Sequence, residues 1–178
     1  MIRFEIQIDD ASPGWATIVL HTDNRKSTIP CSNLGGDCVG EIASAFITLA
    51  EGDERAAVEV DCYGEPENTL IRLKKNGPHV EVSVTRFSWE GDRASEAKIQ
   101  RAIKTGKPKD WAKMQRSRNK KAQLRHSTPL TEAIASLVQA FQSIEDRLGA
   151  KGYESAWGFE FPSTRLANLR PHLPTNPE

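Results

Sequence analysis

An α+β fold built on an antiparallel sheet is what this 178-residue sequence predicts. Three observations carry the prediction. Short runs of residues alternate apolar with polar, the turns between them suit hairpins, and two other segments repeat apolar residues every three or four positions. The resulting order is β-β-β-α-β-β-β, followed by a basic connector, a long helix and a tail. A sheet of about six strands with helices packed on one face accommodates that order. The length suffices for one good core, so 1–178 is read as a single domain, with 90–128 a basic connector and 167–178 a proline-rich tail.

The first strand is set by Ile2, Phe4, Ile6 and Ile8 alternating with Arg3, Glu5, Gln7 and Asp9, one face dry and one wet. Residues 9–14, Asp-Asp-Ala-Ser-Pro-Gly, turn the chain into a second strand at 15–22, with Ala16, Ile18 and Leu20 on one face. Asp23 and Asn24 connect to a third strand around 27–31. Pro30 removes a ladder donor there and so belongs on an edge or at a strand end. The first helix follows, with Val39, Ile42, Phe46 and Leu49 on one stripe, Asp37 available as N-cap and Gly52 past the end. Strands resume at 57–62 and 69–74. Asn76-Gly77, a strong hairpin turn signal, leads into Val80, Val82 and Val84, and the run ends at Phe87, Ser88 and Trp89.

Between 90 and 128 the periodicity degrades, large apolar side chains are few, and a segment that is mobile or ordered by a partner is expected. Thr128 and Pro129 then read as N-cap and first helical residue. Leu130, Ile134, Leu137, Phe141, Ile144 and Leu148 form one continuous stripe, and Gly149 supplies a stop. Ala133, Val138 and Ala140 widen the stripe, which favours packing on the sheet over a dimer seam. Trp157, Phe159, Phe161 and Leu166 give the tail something to dock with over the sheet or its edge.

Net charge is zero, yet eleven of the 24 Lys and Arg residues lie in 98–125, where Asp110 is the only acid. That segment carries +10 and the remainder −10, a split that attracts an acidic partner to one region and repels nucleic acid from the rest. No apolar run approaches the roughly 20 residues of a membrane span, and the first residues lack a secretory pattern, so a cytoplasmic location is expected. Cys31, Cys38 and Cys62 are odd in number, lack C-x-x-C spacing and sit among apolar or small residues. They read as buried structural thiols in a reducing compartment, with no disulfide framework.

Chemistry leaves little trace in the sequence. His21, His79, His126 and His172 are scattered, and no G-x-S-x-G elbow, zinc-type His or Cys pair, Walker loop or dinucleotide fingerprint occurs. Gly35-Gly36 ahead of the first helix offers a turn that could expose an anion-binding helix end, or a plain loop. Glu65 and Glu67 flank Pro66, and Glu51, Asp53 and Glu54 cluster after the first helix. Acid–base catalysis would need such a pair at fixed separation with split pKa values, whereas solvated turn acids need nothing more. No cofactor, no metal and no catalytic residue is assigned.

The basic segment admits three readings: a solvated connector, a contact surface for an acidic protein, and a nucleic-acid patch with Trp111 as stacking platform. Were 112–124 helical, Lys113, Arg116, Lys120 and Lys121 would share overlapping i, i+3 and i+4 rows. By charge density, Lys113, Arg116, Arg118, Lys120 and Lys121, with Trp111, are the candidate partner contacts.

The first ninety residues resemble the small bacterial immunity proteins that accompany polymorphic toxins. Trp15 entering a strand, the helix after Ser32, the turn Gly64-Glu65-Pro66-Glu67 and the valine strand ending at Phe87 carry the resemblance, and Gly152-Tyr153 with 157–162 is compatible with it. It implies a non-enzymatic protein that binds its cognate toxin tightly, often over the active site. A nucleic-acid accessory protein using 98–125 is the alternative, and an enzyme with a site assembled from scattered residues is a third.

Overall fold

The computed structural model describes residues 1–64, 67–88 and 120–174. Strands β1 (Arg3–Ile8), β2 (Trp15–His21) and β3 (Lys26–Ser32) form one antiparallel meander. After a 3-10 turn (Asn33–Gly35) and helix α1 (Cys38–Glu51), strands β4 (Ala57–Tyr63), β5 (Glu67–Asn76), β6 (His79–Ser88) and β7 (Lys120–Pro129) form a second. Helix α2 (Leu130–Trp157), helix α3 (Ser163–Leu169) and a 3-10 turn (Arg170–His172) complete the described residues. The class is α+β, but the strands divide into sheets of three and four in the order β1-β2-β3 and β4-β5-β6-β7, which corrects the expectation of one six-stranded sheet.

The predicted alternation does the sorting. Phe4, Ile6 and Ile8 face Leu20, Ile18 and Ala16 across the β1–β2 ladder, and Ile18 faces Ile29 across β2–β3. In the other sheet Val60 faces Ile71 and Ile71 faces Val84. All of these are buried in one core with α1 and α2. β3 passes beside β4 without backbone pairing, and Arg86 on β6 donates from Nη2 to the Thr28 carbonyl at 2.9 Å across that junction. Pro30 lies on β3, an edge strand, where its missing donor costs no ladder bond.

β7 is the second correction. Residues 120–128, which read from the sequence as connector, pair with β6 from Phe87↔Lys120 to Val80↔Thr128. Thr128 therefore belongs to the strand, and its buried Oγ1 makes no capping bond to the helix among the described residues. α2 starts at Leu130 with Pro129 as N-cap, and the Pro78 carbonyl of the β5–β6 hairpin accepts from the Leu130 N–H at 2.9 Å in place of a capping side chain.

α2 lies along the open edge of β1. Ser136 Oγ accepts from the Phe4 N–H at 2.8 Å and Arg147 Nη2 donates to the Ile8 carbonyl at 2.9 Å, so the helix satisfies strand groups that would otherwise invite another chain. Its apolar stripe, Leu130 through Ile144, is buried against the sheet and not held out as a seam. At Gly149 the backbone breaks from helical geometry (φ 66°, ψ 169°), a left-handed φ that glycine adopts without strain, and the helix then resumes to Trp157. α3 packs on α1 instead of on a sheet.

Candidate functional site

The C-terminal end of α2 and the N-terminal end of α1 are joined by a short set of polar contacts. Ser32 Oγ accepts from the Leu34 N–H at 3.3 Å and closes the turn before α1. Asn33 in that turn donates from Nδ2 to the Trp157 carbonyl at 3.0 Å, and the Gly14 N–H donates to the Ala156 carbonyl at 2.7 Å, so the last carbonyls of α2 are not left orphaned. Trp157 is thereby held over the start of α1, fully buried.

Asp37 is the centre of this arrangement. Its Oδ1 accepts from the Gly40 N–H (2.9 Å), the N-cap bond, and from Trp157 Nε1 (2.9 Å), while Oδ2 accepts from Arg165 Nη1 of α3 (3.1 Å). Gly40 leaves room for this pair: a Cβ there would meet both Arg165 Nη1 and the Asp37 carboxylate, which would have to shift. The expected N-cap is therefore present, and its carboxylate occupies the helix end beside Gly35-Gly36 that an anion would otherwise need.

Beneath that cap three thiols converge. Cys31 lies on β3, Cys38 is the first residue of α1 and Cys62 lies on β4. All three are buried and reduced, and their Sγ atoms lie within 4.8 Å of one another. The sequence marks each as a buried thiol, since each sits among apolar or small residues. It did not show them meeting, because no local period records that β3 passes β4. The thiols act on one another electrically. Hydrogen bonds from Cys31 and Cys62 pull the Cys38 thiol down to about 5, against burial and the Asp37 charge. Cys31 and Cys62 are pushed well up, chiefly by the hydrogen bonds they give within the trio and by burial.

Two further groups feel the same spot. Burial, followed by the Cys38, Asp37 and Asp61 charges, raises the Glu41 carboxyl. The Tyr153 phenol is raised far above its ordinary range by burial and then by Asp37 and Cys38, and its hydroxyl finds no hydrogen-bond partner among the described residues.

The residues singled out by charge lie elsewhere. Trp111, Lys113, Arg116 and Arg118 fall outside the described residues, as does Glu65. Lys120 and Lys121 open β7, which replaces the helical row considered for them with an extended strand. Lys121 is exposed, and further along the same strand Arg125 reaches Glu81 Oε2 at 2.8 Å from a side chain 76% exposed. The four histidines occupy four different elements. His21 pairs with Glu5 on the outer face of β2 at 3.0 Å, His79 begins β6, His126 lies half-buried in β7, and His172 ends the chain's last turn. Glu67 pairs with Arg86 at 3.1 Å.

Fold and site together define an α+β protein with a buried three-thiol cluster under a carboxylate-capped helix and a cationic edge strand on its second sheet. No family model, characterised protein or solved structure matches the chain. No helix among the described residues is long and apolar enough to cross a membrane.

Proposed function

We propose that this protein is a non-enzymatic, cytoplasmic protein-binding module of the immunity type, which inhibits a cognate acidic partner, a toxin, by direct contact. The observation that carries the reading is the position of β7. It ends the four-stranded sheet, pairs with β6 alone among the described residues, and turns Lys121 and Arg125 to solvent at the end of the +10 stretch 98–125. An edge strand offers unpaired backbone groups to an incoming chain, and cations around it choose acidic chains over others. The −10 carried by the rest of the protein works against a polyanion wrapping the surface, which favours a compact acidic protein over nucleic acid.

The reading is tested by capturing partners on the tagged full-length protein from its native extract, with and without nuclease. A single protein retained at one to one through nuclease treatment, and lost from a Lys121→Gln, Arg125→Gln variant with an unchanged circular dichroism spectrum, supports it. Retention of nucleic acid, or of proteins released by nuclease, replaces it with the accessory-protein alternative, whose binding falls log-linearly with salt.

A further inference from the structure

Cys31, Cys38 and Cys62 belong to three separate elements, and two of those elements, β3 and β4, lie in sheets that share no backbone hydrogen bonds. Nothing in the secondary structure requires sulfur at the three places where they meet. A triangle with sides of 4.8 Å has its centre about 2.8 Å from each corner, and a zinc–thiolate bond is about 2.3 Å. Closing the difference takes about 0.5 Å per sulfur, which small rotations about χ1 within one staggered well can supply.

We propose that the three cysteines bind one thiophilic closed-shell cation, the chemistry shared by Zn2+ and Cu+, between β3, the first turn of α1 and β4. The donor set selects this class, because thiolates prefer soft or borderline ions to magnesium, calcium or manganese. Asp37, although adjacent to Cys38, is not free to join: Oδ1 already accepts from Gly40 and Trp157, and Oδ2 from Arg165. Its part is positioning, since it fixes the turn from which Cys38 projects. Binding forms three metal–sulfur bonds, sends one proton per bound thiol to solvent and transfers no electrons. The excess negative charge of the trithiolate lies beside the α1 N-terminus, a helix end of partial positive charge that Asp37 already caps. Three sulfurs complete a trigonal Cu+ site, whereas a closed structural Zn2+ site takes a fourth donor. In either case the ion ties the two sheets together where the backbone does not. This site is separate from the β7 surface, and it stands or falls independently of the partner reading.

The test uses the full chain, reduced, stripped of metal and kept free of oxygen. Zn2+ and Cu+ are loaded in separate arms and the protein is desalted against a weak competing chelator. Metal content, sulfur-to-metal charge-transfer absorption and Tm are then measured. The expected result is one ion per chain in at least one arm, with charge-transfer absorption and a raised Tm. In Cys62→Val, retention should weaken by at least about a hundredfold, since loss of an outer-shell partner alone costs up to about that much. Wild-type protein that retains neither ion, or binding that persists in a Cys31→Val, Cys62→Val double variant, overturns the proposal. If the valine variants do not fold, charge-transfer absorption in loaded wild-type protein decides the matter, and its absence in both arms is the overturning result.

Discussion

Asp37→Ala removes three interactions at once, and their sizes can be worked out separately. The lost N-cap bond to Gly40 is worth about 1 kcal/mol. Trp157 is fully buried, so its Nε1–H left without an acceptor costs about 1–3 kcal/mol. Arg165 keeps 39% of its side chain in solvent and can rehydrate, so that pair contributes less than about 1 kcal/mol. Relief of the Asp37 repulsion with Cys38 and Glu41 acts in the opposite direction. A net loss of about 3 kcal/mol results, which at a urea slope of about 2 kcal/mol/M moves the unfolding midpoint down by about 1.5 M. Asp37→Asn keeps a good cap and an acceptor for Trp157 and should lose only about 1 kcal/mol. Urea unfolding followed by tryptophan fluorescence and circular dichroism measures both variants, and a double-mutant cycle of Asp37→Ala with Trp157→Phe should give a coupling of about 1–2 kcal/mol, because the two share one buried hydrogen bond. An Asp37→Ala midpoint within experimental error of wild type, or an Asn variant as unstable as the Ala variant, would refute the hub.

Tyr153→Phe should raise unfolding stability by about 1 kcal/mol in a urea titration at pH 8, because it deletes a buried hydroxyl that has no partner among the described residues; a loss of stability would show that the hydroxyl is bonded. The Tyr153 phenol is raised in the fold, so it holds its proton to higher pH than in the unfolded chain; stability should be complete below the ordinary phenol range of about 10 and fall as pH rises through it, and Tyr153→Phe should flatten that slope. Gly40→Ala gains about 1 kcal/mol of helix propensity yet should be net destabilising by about 1–3 kcal/mol, since the new methyl group meets Asp37 and Arg165; a stabilised variant would show that the contact relaxes freely. Ser136→Ala should cost about 1 kcal/mol and speed exchange of the Phe4 amide hydrogen, and unchanged exchange would show that the β1 edge is not sealed by α2.

Much of the fold was legible in local periodicity. The six alternating runs are strands with the expected faces inward, α1 starts at its Asp37 cap and ends at Glu51 before Gly52, and α2 breaks at Gly149. What escaped was long-range. β7 has Leu124 as its one large aliphatic residue, and a bulge opposite Val84 and Thr85 shifts its alternation, so a strand paired on one side only among the described residues left little pattern to read. The division into two sheets depends on whether β3 and β4 exchange hydrogen bonds, and neither sequence encodes that locally. The thiol cluster was half legible: apolar or small neighbours marked each cysteine as a buried thiol, but their meeting rests on that same β3–β4 passage. Trp157 and Arg165 reach Asp37 from 120 and 128 residues away, beyond any motif.

The most direct test of the functional account is the affinity of the captured partner for a chain in which Lys113, Arg116, Arg118, Lys120 and Lys121 are all changed to glutamine, measured beside wild type with Tm recorded on both. The account predicts that binding is abolished and Tm is nearly unchanged. Binding at wild-type affinity would contradict it, and a collapse of Tm would make the basic stretch part of the fold in place of a partner surface.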